Sequence, residues 1–372
     1  MTISQKQRVA VSRATAALQS MFVADALAMP VHWYYNPLDI ERAFPGGIAK
    51  FEAAPDYHPS SIMSLHSTNK GGRGNHTPAG KDAEIVGEVI LKGKRQYWNQ
   101  PNQHYHHQMQ AGENTLNAHC ARVVIRSMLG EGGHYDKDGF LDDYIQFMTA
   151  DPPVHPDTYA ESYHRGFFAN LKSGKEKELC GAVTHDTASI GGLVTIAPIV
   201  FAERLHGSSL DQVQKLCRGH LFLTHPDEDL ARICSVYIEL LDGLLFRDQE
   251  QSPHDLLARA AQVSVGLDLP ALVEKTHGDM QVIGGLFSPA CYISGSWPSV
   301  LYLAYKYATE PKKALLVNSN LGGDNVHRGV VLGVLLGLIN SVTIDTLFEK
   351  LADKDEINAE INRLFSQSAL HD

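Results

Sequence analysis

With 372 residues, 44% of them hydrophobic, the chain can bury a large core without disulfide or metal staples. Its formal charge of -10, with Lys and Arg scattered along the chain, excludes a dedicated nucleic-acid or anionic-membrane surface, although a few local donors can still hold one phosphate. Cys120, Cys180, Cys217, Cys234 and Cys291 lie far apart with no CxxC pair and are expected as free thiols. No signal-peptide pattern and no stretch approaching ~18 apolar residues is read, so a reducing, cytoplasmic compartment without a membrane span is expected.

From Gln5 to Met29 apolar and small residues recur at helical spacing, and Pro30 stops the pattern, placing Asp25 on an apolar helix. Residues 31 to 111 are irregular and read as an insert over one face, with one helix near 81 to 93. Within it, the 104 to 107 histidine cluster reads as solvated surface, and Gly71-Gly-Arg-Gly74 lacks the strand-loop-helix setting of a phosphate loop. Periodicity returns at Thr115 and runs to Gly130, and a further helix follows at about 139 to 149.

Thr184 to Pro198 opens polar and turns apolar, as a ligand-facing turn feeding a buried helix to about Leu205 would. Thr224-His-Pro-Asp-Glu-Asp229 reads as a helix start, with a Thr or His cap and carboxylates at the positive end of the dipole. Additional helices are expected at 254 to 266, 297 to 309 and 344 to 365. Val330 to Ile339 is apolar all round, with Gly329, Gly333 and Gly337 on one face where a neighbouring backbone can approach. Neither strand alternation, nor a linker, nor a fixed-period repeat is present, so the expected fold is one compact, orthogonal multi-helix all-α domain spanning 1 to 372.

Four polar turns abut these helices: Asp25 to His32, Gly112 to Thr115, Thr184 to Thr187, and Gly322 to His327. A carboxylate at the mouth of an apolar helix is costly unless solvated, hydrogen-bonded or coordinated. Carboxylates from distant turns therefore suggest a shared cation. Asp324 is the central candidate, since the Gly322-Gly323 pair before it suggests close approach of backbone to a ligand. Asp186 and His185 either line the cleft or cap the following helix.

In chain order these turns resemble the motifs of the ADP-ribosylglycohydrolase family. Ala24-Asp-Ala-Leu-Ala-Met-Pro-Val-His32 is similar to the first motif, approximately GDALGxPxE. Gly112-Glu-Asn-Thr115 is similar to TDDT, Thr224-His225 to the later TH turn, and Gly322-Gly-Asp-Asn-Val-His327 to GGDTDT. The resemblance implies an all-α fold and a hydrolase of N- or O-glycosidic bonds in a small-molecule or protein-linked ADP-ribosyl substrate. It also implies magnesium at the base of the cleft, held by the second and last motifs.

Carried over by position, Glu113, Asn114, Asp324 and His327 are the metal candidates. His32, Glu113 and Asp324 are the catalytic candidates; Asp25, Asp186, Gly322, Gly323 and Asn325 are the substrate-binding ones. The departures are specific: Glu113 and Asn114 stand for two Asp, Val326 for Asp, His327 for Thr, and His32 for the acidic residue of the first motif. The ligand set therefore leaves three options open: a weak single ion, a transition metal held partly by histidine, or no metal with His32 or Glu113 as general base. A silent ADP-ribose or nucleotide binder, and a hydrolase of another substrate with a mixed His/carboxylate site, remain alternatives.

Overall fold

The structure is a computed structural model that describes residues 3–63, 85–184, 186–341 and 345–367. Among these residues the chain forms α1 (Ile3–Ala28), α2 (Pro37–Ala43), α3 (Leu116–Gly130), α4 (Lys137–Thr149) and α5 (Ser162–Lys172). It continues with α6 (Ile196–Leu205), α7 (Leu210–Thr224), α8 (Glu228–Phe246), α9 (Pro253–Val265), α10 (Leu269–Lys275) and α11 (Asp279–Val282). The last are α12 (Ile293–Lys306), α13 (Pro311–Leu321), α14 (Asn325–Asn340), α15 (Asp345–Phe348) and α16 (Lys354–Gln367). The described residues contain only isolated bridges and no sheet, as the helical periodicity predicts.

α1 and α14 form the most extensive helix pair. The reason lies in α14's glycine face: a Cβ on Gly333 would sit 2.6 Å from the Ser20 carbonyl, and one on Gly337 would sit 2.5 Å from the Ala16 carbonyl. Only hydrogen at those positions lets the two backbones come this close. α14 is buried from Asn325 to Leu338, which explains why its sequence is apolar all round. α1 continues through a 3-10 turn at Met29–Val31. Contrary to the expectation that no stretch is long and apolar enough, Gln5–Val31 reaches the length and apolarity of a membrane span, yet 89% of its most apolar window is buried inside the protein. It is a core helix, packed against α3, α6, α8, α13, α14, α15 and α16.

Several expected boundaries shift. Residues 85 to 93 form turns, not the expected helix near 81 to 93, and residues 81 to 84, Gly71 to Gly74 and His185 lie outside the described residues. Thr224 ends α7 and His225 is its C-cap, so the start of α8 is capped by Asp227, whose side chain accepts from Leu230 N at 2.8 Å. The last helical stretch is two helices, α15 and α16. Arg122 on α3 holds α16 through Asp353, Glu356 and Glu360.

The 31 to 111 segment is irregular, as expected, but it is no loose cover. His58, Trp98, His104, Tyr105 and His106 within it are all buried. His58 Nε2 meets the His32 carbonyl at 2.9 Å and His104 Nε2 meets the Pro30 carbonyl at 3.1 Å, so this segment is fastened to the end of α1.

Candidate active site

The site begins with the geometry of the turn before α14. Gly322 and Gly323 have φ of 65° and 66°. A Cβ on either would collide with a carbonyl, that of Tyr34 for Gly322 and that of Pro289 for Gly323. The glycines therefore admit neighbouring backbone, not the ligand that the sequence suggests. Trp33 N donates to Gly323 O at 2.8 Å and Gly323 N donates to Tyr34 O at 2.7 Å, clipping the end of the first motif onto the last. Trp33 itself takes φ 60°, a strained value for a bulky residue and one enriched at functional sites.

Arg328, fully buried one turn into α14, secures the same turn. Its guanidinium donates to Asn318 Oδ1 at 2.7 Å and to Gly322 O at 2.8 Å. Asn325 Nδ2 donates to Val31 O at 3.2 Å and Ser319 O at 2.9 Å, so its amide positions backbone. Together these contacts place Asp324 at the N-terminus of α14, with its own N–H donating to Pro289 O at 2.8 Å.

Three side chains then converge. Asp324 Oδ1 lies 3.0 Å from His32 Nε2 and 2.7 Å from His327 Nδ1, and all three groups are buried. Their donor atoms lie within 4.8 Å of one another. Asp324 Oδ2 is buried with no hydrogen-bond partner. Burial pushes the Asp324 carboxyl up, but His327 and His32 outweigh it and hold the group below the usual carboxylate range. Burial likewise works against charge on His327, yet Asp324 and Glu161 raise it well above an ordinary histidine. Burial wins at His32, which falls to about 3 despite its bond to Asp324.

A second layer surrounds these three. His32 Nδ1 meets His106 Nε2 at 2.7 Å, and His106 Nδ1 meets Asp157 Oδ1 at 2.8 Å. Asp157 Oδ2 in turn accepts from Leu116 N at 2.8 Å, at the start of α3. His327 Nε2 lies 3.1 Å from Glu161 Oε1 and 2.5 Å from Asn117 Nδ2. Asn117 also takes Tyr163 OH at 2.7 Å and His164 Nε2 at 3.0 Å on its carbonyl oxygen. The expectation that the 104 to 107 histidines are solvated surface is corrected: His104 and His106 are buried, and His106 belongs to this layer.

Glu113 and Asn114 do not join the Asp324 cluster. The Glu113 carboxylate turns back to accept from Gln110 N at 2.7 Å, in a partly exposed turn that Gly112 opens at φ 87°. Asn114 Nδ2 donates to Asp25 Oδ1 at 2.8 Å and to Phe22 O at 2.8 Å. Asp25, expected toward substrate, is fully buried and accepts from Thr115 N at 2.8 Å and Thr115 Oγ1 at 2.6 Å. Burial raises its pKa against those bonds. It anchors the second motif to α1.

Asp186 is partly exposed near the cluster. It accepts from Ser162 Oγ at 2.7 Å, and Cys291 Sγ lies 3.7 Å from its other oxygen. The His225 ring lies tilted against Tyr163, with centroids 4.1 Å apart, and lines a cavity of about 20 Å³ beside Asn117 and His164. His106, Asp157, Glu161, Asn117 and Arg328 were not legible as site residues, since each lies outside the motif turns or, for Arg328, just past the last one.

The sequence matches the ADP-ribosylglycohydrolase family over residues 5–371, and the chain belongs to that family. Among solved structures it is similar to a chain of an "ADP-ribosylglycohydrolase-related protein complex", with a TM-score of 0.57 and 16% identity, covering 97% of this chain and 99% of that one. That likeness shows the all-helical fold. No curated protein matches the sequence.

Proposed function

We propose that the protein is a hydrolase of an N- or O-glycosidic bond in an ADP-ribosyl or related ribosyl substrate, protein-linked or small-molecule, with the Asp324 cluster as its centre. The observation that carries this reading is the buried Asp324 carboxylate, one oxygen shared by two imidazoles and the other without a protein partner. An ionised oxygen left open in a buried site is costly unless a ligand hydrogen or cation reaches it. Set in the family's last motif, Oδ2 is suited to orient a water or sugar hydroxyl. Glycosidic cleavage develops oxocarbenium-like charge, which a fixed carboxylate stabilises.

The magnesium implied by the family prefers an all-oxygen octahedron with several retained waters. The donors that converge here are two imidazoles and one carboxylate, with Glu113 and Asn114 engaged elsewhere. These residues do not fit a magnesium pair. The five free cysteines support a reducing, cytoplasmic location.

The test is release of ADP-ribose from ADP-ribosylated protein and from small ADP-ribosyl substrates. Wild type is expected to release it, and Asp324→Ala to lose release; turnover unchanged in that variant sinks the assignment. A second reading, ADP-ribose binding without turnover, is favoured by the withdrawal of Glu113 from the cluster. It is supported instead if ADP-ribose raises the melting temperature while no substrate is cleaved.

A further inference from the structure

We propose that His32, Asp324 and His327 form a mononuclear site for a first-row transition-metal dication, in place of the magnesium chemistry expected of the family. The proposal deepens the reading of the Asp324 cluster as the reaction centre, by assigning the class of cation that the centre takes.

Two imidazole nitrogens and one carboxylate favour manganese, iron, cobalt or zinc over magnesium, and three protein donors leave open positions for water and substrate oxygens. The spacing of the donors agrees. An octahedral ion ~2.1 Å from two adjacent donors sets them ~3.0 Å apart. The two imidazole nitrogens lie 3.0 Å and 2.7 Å from Asp324 Oδ1, close to the edges of such a face. Asp324 Oδ2, buried and unpartnered, offers a further donor.

The groups behind the ligands point the same way. Metal-bound histidines commonly engage their distal nitrogen with a carboxylate or another fixed group, which sets the tautomer and aims the ligating nitrogen. Both histidines here are held in that manner. His32 Nδ1 is backed by His106 at 2.7 Å, itself backed by Asp157 at 2.8 Å, and His327 Nε2 is backed by Glu161 at 3.1 Å. His106 and Asp157 are thus positioning residues for a ligand, and no family motif contains either.

The experiment is titration of the chelator-stripped full chain with Co²⁺, followed by its visible d–d absorption, with X-ray absorption on the loaded wild type. One Co²⁺ per chain is expected, with two imidazoles and oxygens as its ligands. His32→Ala and His327→Ala should abolish the band. His106→Ala, which leaves all three ligands in place, should weaken Co²⁺ binding ~10- to 100-fold. An all-oxygen coordination sphere, absence of any band at millimolar Co²⁺, or full binding in both ligand variants overturns the proposal, and X-ray absorption on wild type decides it even if a variant fails to fold. A Co²⁺ band in a protein that releases no ADP-ribose overturns the hydrolase reading alone. Release of ADP-ribose by a chain that binds no transition metal overturns this inference alone.

Discussion

His106 meets His32 ring nitrogen to ring nitrogen at 2.7 Å, with the two imidazole planes only 3° from parallel. This contact joins the irregular 31 to 111 segment to the first family motif, and through Asp157 it reaches the start of α3. The segment is therefore a wall of the site.

The pairing makes an ordered prediction for stability. Asp157 is buried, and His106 outweighs the desolvation to hold its carboxyl below the usual range. Removing the imidazole with His106→Ala leaves that charge buried and should cost about 3–5 kcal/mol. Asp157→Asn removes the charge but can keep a bond to Leu116 N, and should cost only about 1–3 kcal/mol. Urea unfolding at neutral pH checks the order; an Asn variant as damaged as the Ala variant would show that Asp157 carries no charge to strand.

Glu113 and Asp324 should separate in activity. Asp324→Ala removes the shared carboxylate and should lower ADP-ribose release by about 10²-fold or more. Glu113→Ala removes only a bond within its own turn to Gln110 N, so release should stay close to wild type. Parallel kinetics on the two variants decide it, and a large loss at Glu113 would return that residue to the site.

That contrast also marks how far the sequence carries. The helices of the core were legible because α1, α3, α8 and α14 bury faces or whole surfaces that repeat at helical spacing. The position of Asp324 was legible because two glycines and an apolar helix frame it. Which way the 112 to 115 turn faces was not, since that depends on Asp25 drawing Asn114 and Thr115 inward, a contact 89 to 90 residues distant. His106 was equally hidden: a buried histidine in an aperiodic segment has no pattern that distinguishes it from an exposed one.

Acid should unfold the protein early, through histidines buried as neutral rings. Burial holds His119, His220 and His225 at about 3 and His155 at about 4, against an ordinary 6.5. The unfolded chain takes up these protons as pH falls below 6.5 while the folded chain refuses them, so stability present above 6.5 is lost progressively on the way to pH 4. Each such group contributes up to ~1.4 kcal/mol per pH unit in that window. His327, raised by Asp324 and Glu161, runs the other way and loses its contribution only as pH rises above 6.5. Urea midpoints measured between pH 7 and 4.5 should fall steeply; a flat profile would mean these histidines are not buried as neutral rings.

The α1–α14 contact predicts opposite signs for the same substitution at two helical glycines. Alanine gains about 1 kcal/mol over glycine in a helix interior when nothing opposes it. At exposed Gly219 in α7 nothing lies within 4 Å of the new Cβ, so Gly219→Ala should stabilise by roughly that amount. At Gly337 the Cβ would meet the Ala16 carbonyl oxygen and the Ala17 Cα, each at 2.5 Å, and both are backbone atoms of a buried helix. Neither can rotate away, so α14 must move off α1 and the overpacking cost of about 1–3 kcal/mol exceeds the helical gain. Displacing α14 also shifts Asp324 and His327 at its N-terminal end relative to His32 beyond the end of α1. Gly337→Ala should therefore lower both the melting temperature and ADP-ribose release, whereas Gly219→Ala raises the first and leaves the second alone. Thermal unfolding and turnover measured on both variants test the pair, and a stabilised Gly337→Ala would show that the two helices are not in backbone contact.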